Sequence, residues 1–336
     1  IDGSITTTIS GGNWLGQFVV AEGSALSITG GLYKNDPSAY LADYYEAVYD
    51  EASGFYTVKK YYEASFGGVD YVTLEEAIAA ANTAGGGTVT LLHNVDLDSS
   101  ITVSSDILLE GAYSVVRSDS YTGNLFTVDA DCTLTLDGGI TVDGGNEWVL
   151  DYDAFHTDIQ KEEFLVSGMS YVTAEPGAPV ATAHMISIYG SLVMNKATVQ
   201  NNYGGTSLTT APFRLYQGAT LTMNDGAVAR HNYINGDSAL VHCNSRYATW
   251  TINDGAEITE NYSTGVGGLS FFYYSYVEMN GGEMHDNYVC GKEGSIFKLY
   301  NGARFTMNDG YIHDNYAFAM SGQWGGTISV HYTSDA

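Results

Sequence analysis

Hydrophobic and polar residues alternate with a period of two along most of the chain, in short runs that polar corners separate. Phe213, Leu215, Leu221 and Met223 are one example, with the break at Gly218. A period of two is that of a β-strand, whose successive side chains point to opposite faces. The Gly-Ala, Asn-Asp-Gly and Asn-Gly-Gly clusters between runs accept the positive φ angles of tight corners. The pattern therefore predicts many short strands joined by sharp corners.

The same unit returns about every 28 residues. Five copies can be aligned, with starts 29, 29, 27 and 28 residues apart: MNKATVQNNY from Met194, MNDGAVARHNY from Met223, INDGAEITENY from Ile252, MNGGEMHDNY from Met279 and MNDGYIHDNY from Met307. Two weaker copies have Leu109 and Leu136 at the Met position. A fixed period of this length, combined with strand alternation, predicts a parallel β-solenoid whose coils pair about 4.8 Å apart.

On these residues the chain resembles the right-handed parallel β-helix, or pectate-lyase-like, repeats of large bacterial cell-surface proteins. The resemblance covers roughly residues 68–336. It implies an all-β fold: a single right-handed parallel β-helix of about 28 residues per coil with a short N-terminal capping helix. Residues 71–97 resemble the family's entry segment. Thr73 as N-cap, Glu75 and Glu76 in the first turn and a glycine stop at Gly85 predict a helix near 73–84.

We divide the chain near residue 60. Residues 1–60 are predicted to be the tail of a preceding β-rich module and a connecting segment, because ALSITGG at 25–31 resembles the end of another coil. Residues 61–336 are predicted to form the β-helix, with an excursion at about 146–185. The chain begins in strand-like sequence, so we expect it to be cut from a longer extracellular protein of the bacterial surface.

Charge excludes two classes of partner. The 39 acidic residues against 12 Lys and Arg give a net charge of −27. Nucleic acid and anionic lipid need cations to neutralise their phosphates, so neither is an expected partner. No stretch reaches the roughly 18 apolar residues that a membrane span requires. Cys132, Cys243 and Cys290 are too scattered for a disulfide framework or a zinc site.

The end of each repeat is predicted to stack into columns. The asparagines at 202, 232, 261, 287 and 315, each followed by a tyrosine, are interpreted as structural ladders. Glu260, Asp286 and Asp314 precede three of them and are predicted to be neighbours on one flank. Two carboxyls about 5 Å apart match a retaining glycosidase, so these three are the candidate catalytic residues if the chain is an enzyme. A solvated acidic corner is the alternative.

Other features weaken the catalytic hypothesis. We expect His285 and His313 to point away from the acids that follow them. The pectate-lyase-like enzymes carry Arg-x-Pro-x-x-Arg, or Gly-His-Gly with an Asp-Asp pair and Arg-Ile-Lys, and all of these motifs are missing. The few cations disfavour a polyuronate groove. The chain is therefore predicted not to be an enzyme.

Calcium is the one metal left open. Acidic residues cluster in the excursion without the spacing of an EF-hand loop. The weak candidate ligands there are Asp151, Asp153 and Asp158. We otherwise expect no cofactor.

Outward aromatic residues are the candidate binding surface, because such rows bind sugar rings or protein partners. They comprise a row on the coils, a tyrosine-rich corner and the excursion: Tyr216, Phe272, Tyr273, Tyr274, Tyr276, Tyr300, Trp148, Tyr152 and Phe155. The leading hypothesis is a non-catalytic segment of a secreted or wall-anchored adhesin that binds a host glycan or host protein, with mucin and immunoglobulin both open. A carbohydrate-active β-helix enzyme and a passive stalk are the alternatives.

Overall fold

The computed structural model describes residues 5–161, 171–204, 210–236, 238, 240–264, 268–291, 294–319 and 326–331. It confirms an all-β fold, a β-solenoid of about 7 turns with about 28 residues per turn. Consecutive coils pair in parallel, so that Leu192 lies opposite Leu221, and Leu221 opposite Trp250. The repeat length read from the sequence is therefore the length of one coil.

The coils contribute strands to four parallel stacks, which we call sheets 1 to 4 in the order in which the chain visits them, and sheet 4 is present only from Tyr203 onward. Sheet 1 comprises Ile101–Val103, Phe126–Val128, Ile186–Ile188, Phe213–Leu215, Val241–Cys243, Ser270–Tyr273, Ser295–Tyr300 and Gly326–His331. Sheet 2 comprises Gly87–Leu91, Ile107–Glu110, Thr133–Asp137, Ser191–Met194, Thr220–Met223 and Thr249–Ile252. Sheet 3 comprises Val95–Leu97, Ser114–Arg117, Ile140–Asp143, Ala197–Gln200, Val228–Arg230 and Glu257–Thr259.

Sheets 2 and 3 merge in the last two coils, where the long strands Tyr276–His285 and Arg304–Ile312 run through both. Sheet 4 is the short stack formed by Tyr203–Gly204, Tyr233–Ile234, Tyr262–Ser263, Tyr288–Gly291 and Tyr316–Ala319. Inward residues of sheets 1, 2 and 3 fill one continuous core. Met194, Met223, Ile252 and Met279 form one fully buried column of it, and each such side chain contributes about 1.5–3 kcal/mol of burial free energy.

The predicted capping helix is confirmed and spans Leu74–Ala84. The Thr73 hydroxyl accepts a hydrogen bond from the Glu76 N–H at 3.2 Å, and Gly85 ends the helix in the left-handed conformation. Its apolar face packs on the core of the first coil, beside an antiparallel hairpin of Ala64–Phe66 and Val69–Tyr71. The helix therefore covers core residues that the first coil would otherwise expose.

Residues 5–60 form a smaller region with its own core of Ile28, Tyr33 and Val58. Its strands are Thr6–Ile9, Asn13–Trp14, Ala25–Ile28, Gly31–Tyr33, Tyr45–Asp50 and Phe55–Lys60, with a 3₁₀ turn at Ser38–Tyr40. The first four pair in parallel at an offset of 19 residues, and the last two form an antiparallel hairpin.

The excursion between sheets 3 and 1 carries a short antiparallel pair, Val149–Leu150 with Val172–Thr173, and the helix Tyr152–Lys161. Neither α-helix of the described residues has the length and hydropathy to cross a membrane.

Candidate functional site

The buried asparagines after sheet 3 form a hydrogen-bonded ladder along the solenoid axis. The Nδ2 atoms of Asn232, Asn261 and Asn287 each donate to the Oδ1 atom of the next asparagine at 2.9 Å. At the other end, the Asn202 Oδ1 accepts from the buried guanidinium of Arg117 at 3.0 Å. Each amide also satisfies backbone groups, so the ladder is a structural element of the fold.

The residue before each ladder asparagine turns the corner in the left-handed backbone region. The φ angles are 58° at Asn201, 52° at His231, 54° at Glu260 and 49° at both Asp286 and Asp314. Asn, Asp and His tolerate this region better than other non-glycine residues, whereas Glu gains nothing from it. The residues of the predicted acidic column therefore occupy a tight corner of each coil, and its backbone geometry accounts in part for their residue types.

Two histidines lie against these acids, contrary to our expectation that the neighbours point apart. His285 Nδ1 is 2.9 Å from Asp286 Oδ2, and its Nε2 is 3.1 Å from Glu257 Oε1. His313 Nδ1 is likewise 2.9 Å from Asp314 Oδ2. Partial burial opposes protonation of His285, but its hydrogen bonds with Asp286 and Glu257 raise its pKa above the usual value. Carboxylate and imidazole groups therefore meet on the outer face of sheet 3.

A groove of about 520 Å³ adjoins this cluster. Asp254, Glu257, Glu283 and Asp309 line it together with Tyr311, which is 65% exposed. We call it the acidic groove. Among the described residues, no group of three or more His, Cys, Asp or Glu side chains is arranged to hold a metal ion.

The predicted calcium ligands of the excursion serve elsewhere or lie outside the description. The Asp151 carboxylate accepts a hydrogen bond from the Ala154 N–H at 3.0 Å, at the start of the helix Tyr152–Lys161. Asp153 is exposed in the first turn of that helix. The side chain of Asp158 lies outside the described residues.

A second asparagine ladder, which sequence analysis did not identify, runs along the Asn-Asp-Gly corner between sheets 2 and 3. It begins at Asp137, and its members donate Nδ2 to the side-chain oxygen of the preceding coil at 2.8–3.1 Å: Asn195, Asn224, Asn253, Asn280 and Asn308. The sequence feature that could have predicted this ladder is the asparagine at the second position of all five aligned copies. This ladder is more exposed than the first and is also structural.

The outward aromatic row beside sheet 1 is present, with one change of membership. Tyr189 and Tyr216 stack at 3.9 Å and 9°, and Tyr273 pairs with Tyr300. Phe272 does not belong to the row, because it lies opposite Leu299 and is fully buried in the core. Rings stacked on one another present edges and hydroxyls outward, so this row offers few free ring faces.

The corner that follows sheet 1 presents a separate cluster, which we call the aromatic corner: Arg246, Tyr247, Tyr273 and Tyr274. The Arg246 guanidinium lies 4.6 Å from the ring centroid of Tyr274, and the Tyr273 and Tyr274 rings meet edge to face at 4.7 Å. Beneath them, the buried Ser275 hydroxyl accepts from the Ala248 N–H and donates to the Ser245 carbonyl. Tyr276 is half-buried at the adjoining start of a sheet 2 strand, opposite Thr249 and Arg304.

Backbone and exposure set two of these tyrosines apart. Tyr247 and Tyr274 adopt φ angles of 64° and 50°, a region that a bulky residue rarely occupies. Tyr247 is 59% exposed, and its ring contacts no other ring or cation of the described chain. Sequence analysis missed Arg246 and Tyr247. Their signal was NSRYA at 244–248, where other coils have QGA or NGA.

The aromatic residues of the excursion face inward over the tyrosines of sheet 4. Trp148 stacks on His231 at 4.1 Å and 2°, and its Nε1 donates to the His231 carbonyl. Phe155 is fully buried and meets the Tyr288 ring edge to face at 5.4 Å. Tyr152 is 45% exposed, with its ring 5.7 Å from that of Tyr288. Trp148 and Phe155 are thus unavailable to a partner.

Some positive side chains of the solenoid lie beside the aromatic surfaces. Arg214 lies 5.2 Å from the Tyr216 ring centroid, Lys298 lies 5.2 Å from that of Tyr300, and Arg304 lies opposite Tyr276. The acidic groove thus lies along the Asn-Asp-Gly corner, and the aromatic, cationic surface lies along sheet 1 and the corner that follows it. No family model, curated protein or solved structure matches this chain.

Proposed function

We propose that this chain is a non-catalytic recognition segment of an extracellular bacterial surface protein, and that it binds a glycan through the aromatic corner. One observation carries the proposal. Two tyrosines on successive coils are held in the left-handed region at an exposed corner, and the ring of one, Tyr247, has no aromatic or cationic contact with the residues that the structure describes.

The coil itself does not require tyrosine there. The equivalent position of the next coil is Asn301, at a φ of 47°, which is a low-strain residue for this conformation. A bulky residue in this region costs on the order of 1–3 kcal/mol, and such strain persists mainly at functional sites. Tyr247 adds the exposure of a large apolar ring. Tyr274 contacts Arg246 and Tyr273, whereas no ring or cation among the described residues packs on Tyr247.

The shape of the surface favours a glycan over a protein. The corner is about two side chains wide and continues along the axis, one coil per roughly 4.8 Å. A protein interface needs about 800 Å² per partner, whereas a linear sugar chain fits a narrow strip. The free face of Tyr247 is the surface on which a sugar ring stacks, and the hydroxyls of Tyr273 and Tyr274 add hydrogen-bonding groups.

A glycan array probed with the purified chain tests the proposal. We expect binding that Tyr247→Ala and Tyr274→Ala each weaken at least tenfold. Tyr311→Ala is the matched control, because it removes an equally exposed tyrosine from the acidic groove. Absence of all glycan binding by a folded chain, or equal loss with the control variant, would show that the aromatic corner is not the site.

The acidic groove supports a second candidate, a glycoside hydrolase. The observation in its favour is the contact of His285 with both Glu257 and Asp286, which places titratable groups beside a groove. Hydrolysis of any glycan in a screen, abolished by Glu257→Gln or Asp286→Asn with the fold intact, would establish this function and refute the non-catalytic one.

A further inference from the structure

Three arginines near the aromatic surfaces lack an acidic partner among the residues that the structure describes. On a chain with 39 carboxylates, no described carboxylate oxygen lies within 4 Å of the guanidinium of Arg214, Arg246 or Arg304. Arg214 and Arg246 instead lie over the rings of Tyr216 and Tyr274. Among the described residues, no acidic side chain therefore neutralises these three guanidinium groups.

Two buried histidines near Arg214 have lowered pKa values. His184 and His242 lie side by side under it, with ring centroids 6.0 Å apart. Burial first, and then the positive charge of Arg214, lowers the pKa of His242 to about 2. Burial likewise lowers the pKa of His184 to about 4, with the same arginine contributing. Burial is the main cause of both shifts, and the nearby charge of Arg214 adds to them.

We propose that the glycan bound by the aromatic corner carries a carboxylate, as uronic and sialic acids do, and that Arg246 binds it. This rests on the proposed function and specifies its ligand. The Arg246 guanidinium lies 4.6 Å from the Tyr274 ring centroid, and the residue is exposed to solvent. A planar guanidinium matches a carboxylate with two parallel hydrogen bonds.

Arg214 lies on the preceding coil and adds to the attraction. The Arg246 carbonyl accepts a hydrogen bond from the Gly218 N–H, which places Arg246 one coil from the residues that follow Tyr216. At physiological ionic strength charges are screened beyond about 8 Å. The local arginines, and not the net charge, therefore decide which ligands approach this surface. Chain composition disfavoured uronates only because it averages cations and acids that the fold separates.

Matched pairs of probes test the inference: sialyllactose and a hyaluronan tetrasaccharide, each against its methyl ester, in which a neutral ester replaces the carboxylate on the same sugar chain. We expect each acid to bind about tenfold more tightly than its ester. Arg246→Gln should remove that difference, and Arg246→Lys should restore part of it. Arg230→Gln is the control, because it removes an exposed arginine from sheet 3.

The outcomes separate the two proposals. Equal binding of acid and ester, lost in Tyr247→Ala, would overturn the carboxylate and leave the glycan site standing. Tighter binding of a polyglutamate peptide than of either acid would assign the surface to an acidic protein and overturn the inference. No binding of any glycan would overturn both.

Discussion

Two corners of the same coil use one backbone conformation for different ends. The corner before the buried asparagine ladder and the aromatic corner both place non-glycine residues at φ near 50–64°. At the first corner the side chains bond to their neighbours, as when His231 Nδ1 meets Asn201 Oδ1 at 2.8 Å. At the second, Tyr247 extends into solvent.

The difference shows how to separate architecture from recognition in a repeat protein. A strained corner followed by a satisfied buried amide is explained by the coil. The coil does not explain a strained corner that carries an exposed ring and an arginine without a described acidic partner. The acids that first suggested catalysis belong to the corner before the buried asparagine ladder, which the coil explains. The tyrosines belong to the aromatic corner, which it does not.

The largest expected effect is a loss of stability on substitution in the buried asparagine ladder. Asn261→Ala should destabilise the fold by about 2–4 kcal/mol, because it leaves buried polar groups of adjacent coils without partners. Asn280→Ala removes the same group from the exposed ladder, where water replaces it, and should cost under about 1 kcal/mol. Urea unfolding measures both. Equal losses would contradict the distinction between the two ladders.

The next largest effect is expected at the aromatic corner, where one substitution should raise stability and weaken glycan binding. Tyr247→Asn relieves left-handed strain and should stabilise the fold by about 0.5–1 kcal/mol, while it weakens glycan binding about tenfold. Thermal unfolding and glycan titration of one preparation measure the pair. A loss of stability would mean that the Tyr247 ring supports the coil.

A smaller effect tests the acidic corner column. Glu260→Asn places a tolerant residue at φ 54° and should stabilise by about 0.5–1 kcal/mol. Glu278→Asn removes the same charge from an extended strand, so it controls for repulsion alone. Equal gains would assign the effect to charge and not to the backbone.

The smallest effect is the pH dependence of His285. Its pKa is raised on folding, so its protonated form stabilises the native state fully below about pH 6.5, and this contribution is lost as pH rises through the raised value. The stability difference between wild type and His285→Gln should therefore shrink from pH 5.5 to pH 8. A constant difference would show that the contacts with Glu257 and Asp286 do not depend on charge.

Most of the fold could be predicted from the repeat period, because the alternation of apolar residues and the corner residues recur in register in five copies. The period failed where a coil changes length. Tyr300 precedes its sheet 2 strand by four residues, at Arg304, but Tyr273 precedes Tyr276 by three. Counting back from the aligned methionines therefore selected Phe272, and a slip of one residue exchanges the faces of a strand.

The site depended on conformations that alternation does not encode. His285 and Asp286 were expected to diverge, yet the left-handed turn at Asp286 interrupts the strand and brings their side chains together. Trp148 and Phe155 looked exposed because nothing in the local sequence shows that the excursion folds back on sheet 4. Long-range contacts of this kind arise only once the coils are stacked.

The buried asparagine ladder also explains how a charge survives inside this solenoid. Burial lowers the pKa of Arg117 to about 10, so the group stays protonated at neutral pH, and it donates to three oxygens without a carboxylate. The amides of Asn232, Asn261 and Asn287 point the same way, with N–H toward Asn315, whereas the Asn202 Nδ2 donates to the Thr210 carbonyl at 2.8 Å. The dipoles of the three aligned amides add as peptide dipoles do in a helix. The negative end of the aligned row, the Asn232 Oδ1, accepts from the Asn202 backbone N–H at 3.2 Å, and the Asn202 Oδ1 in turn accepts from Arg117. The polar column of the fold thus continues from the aligned amides to the buried cation.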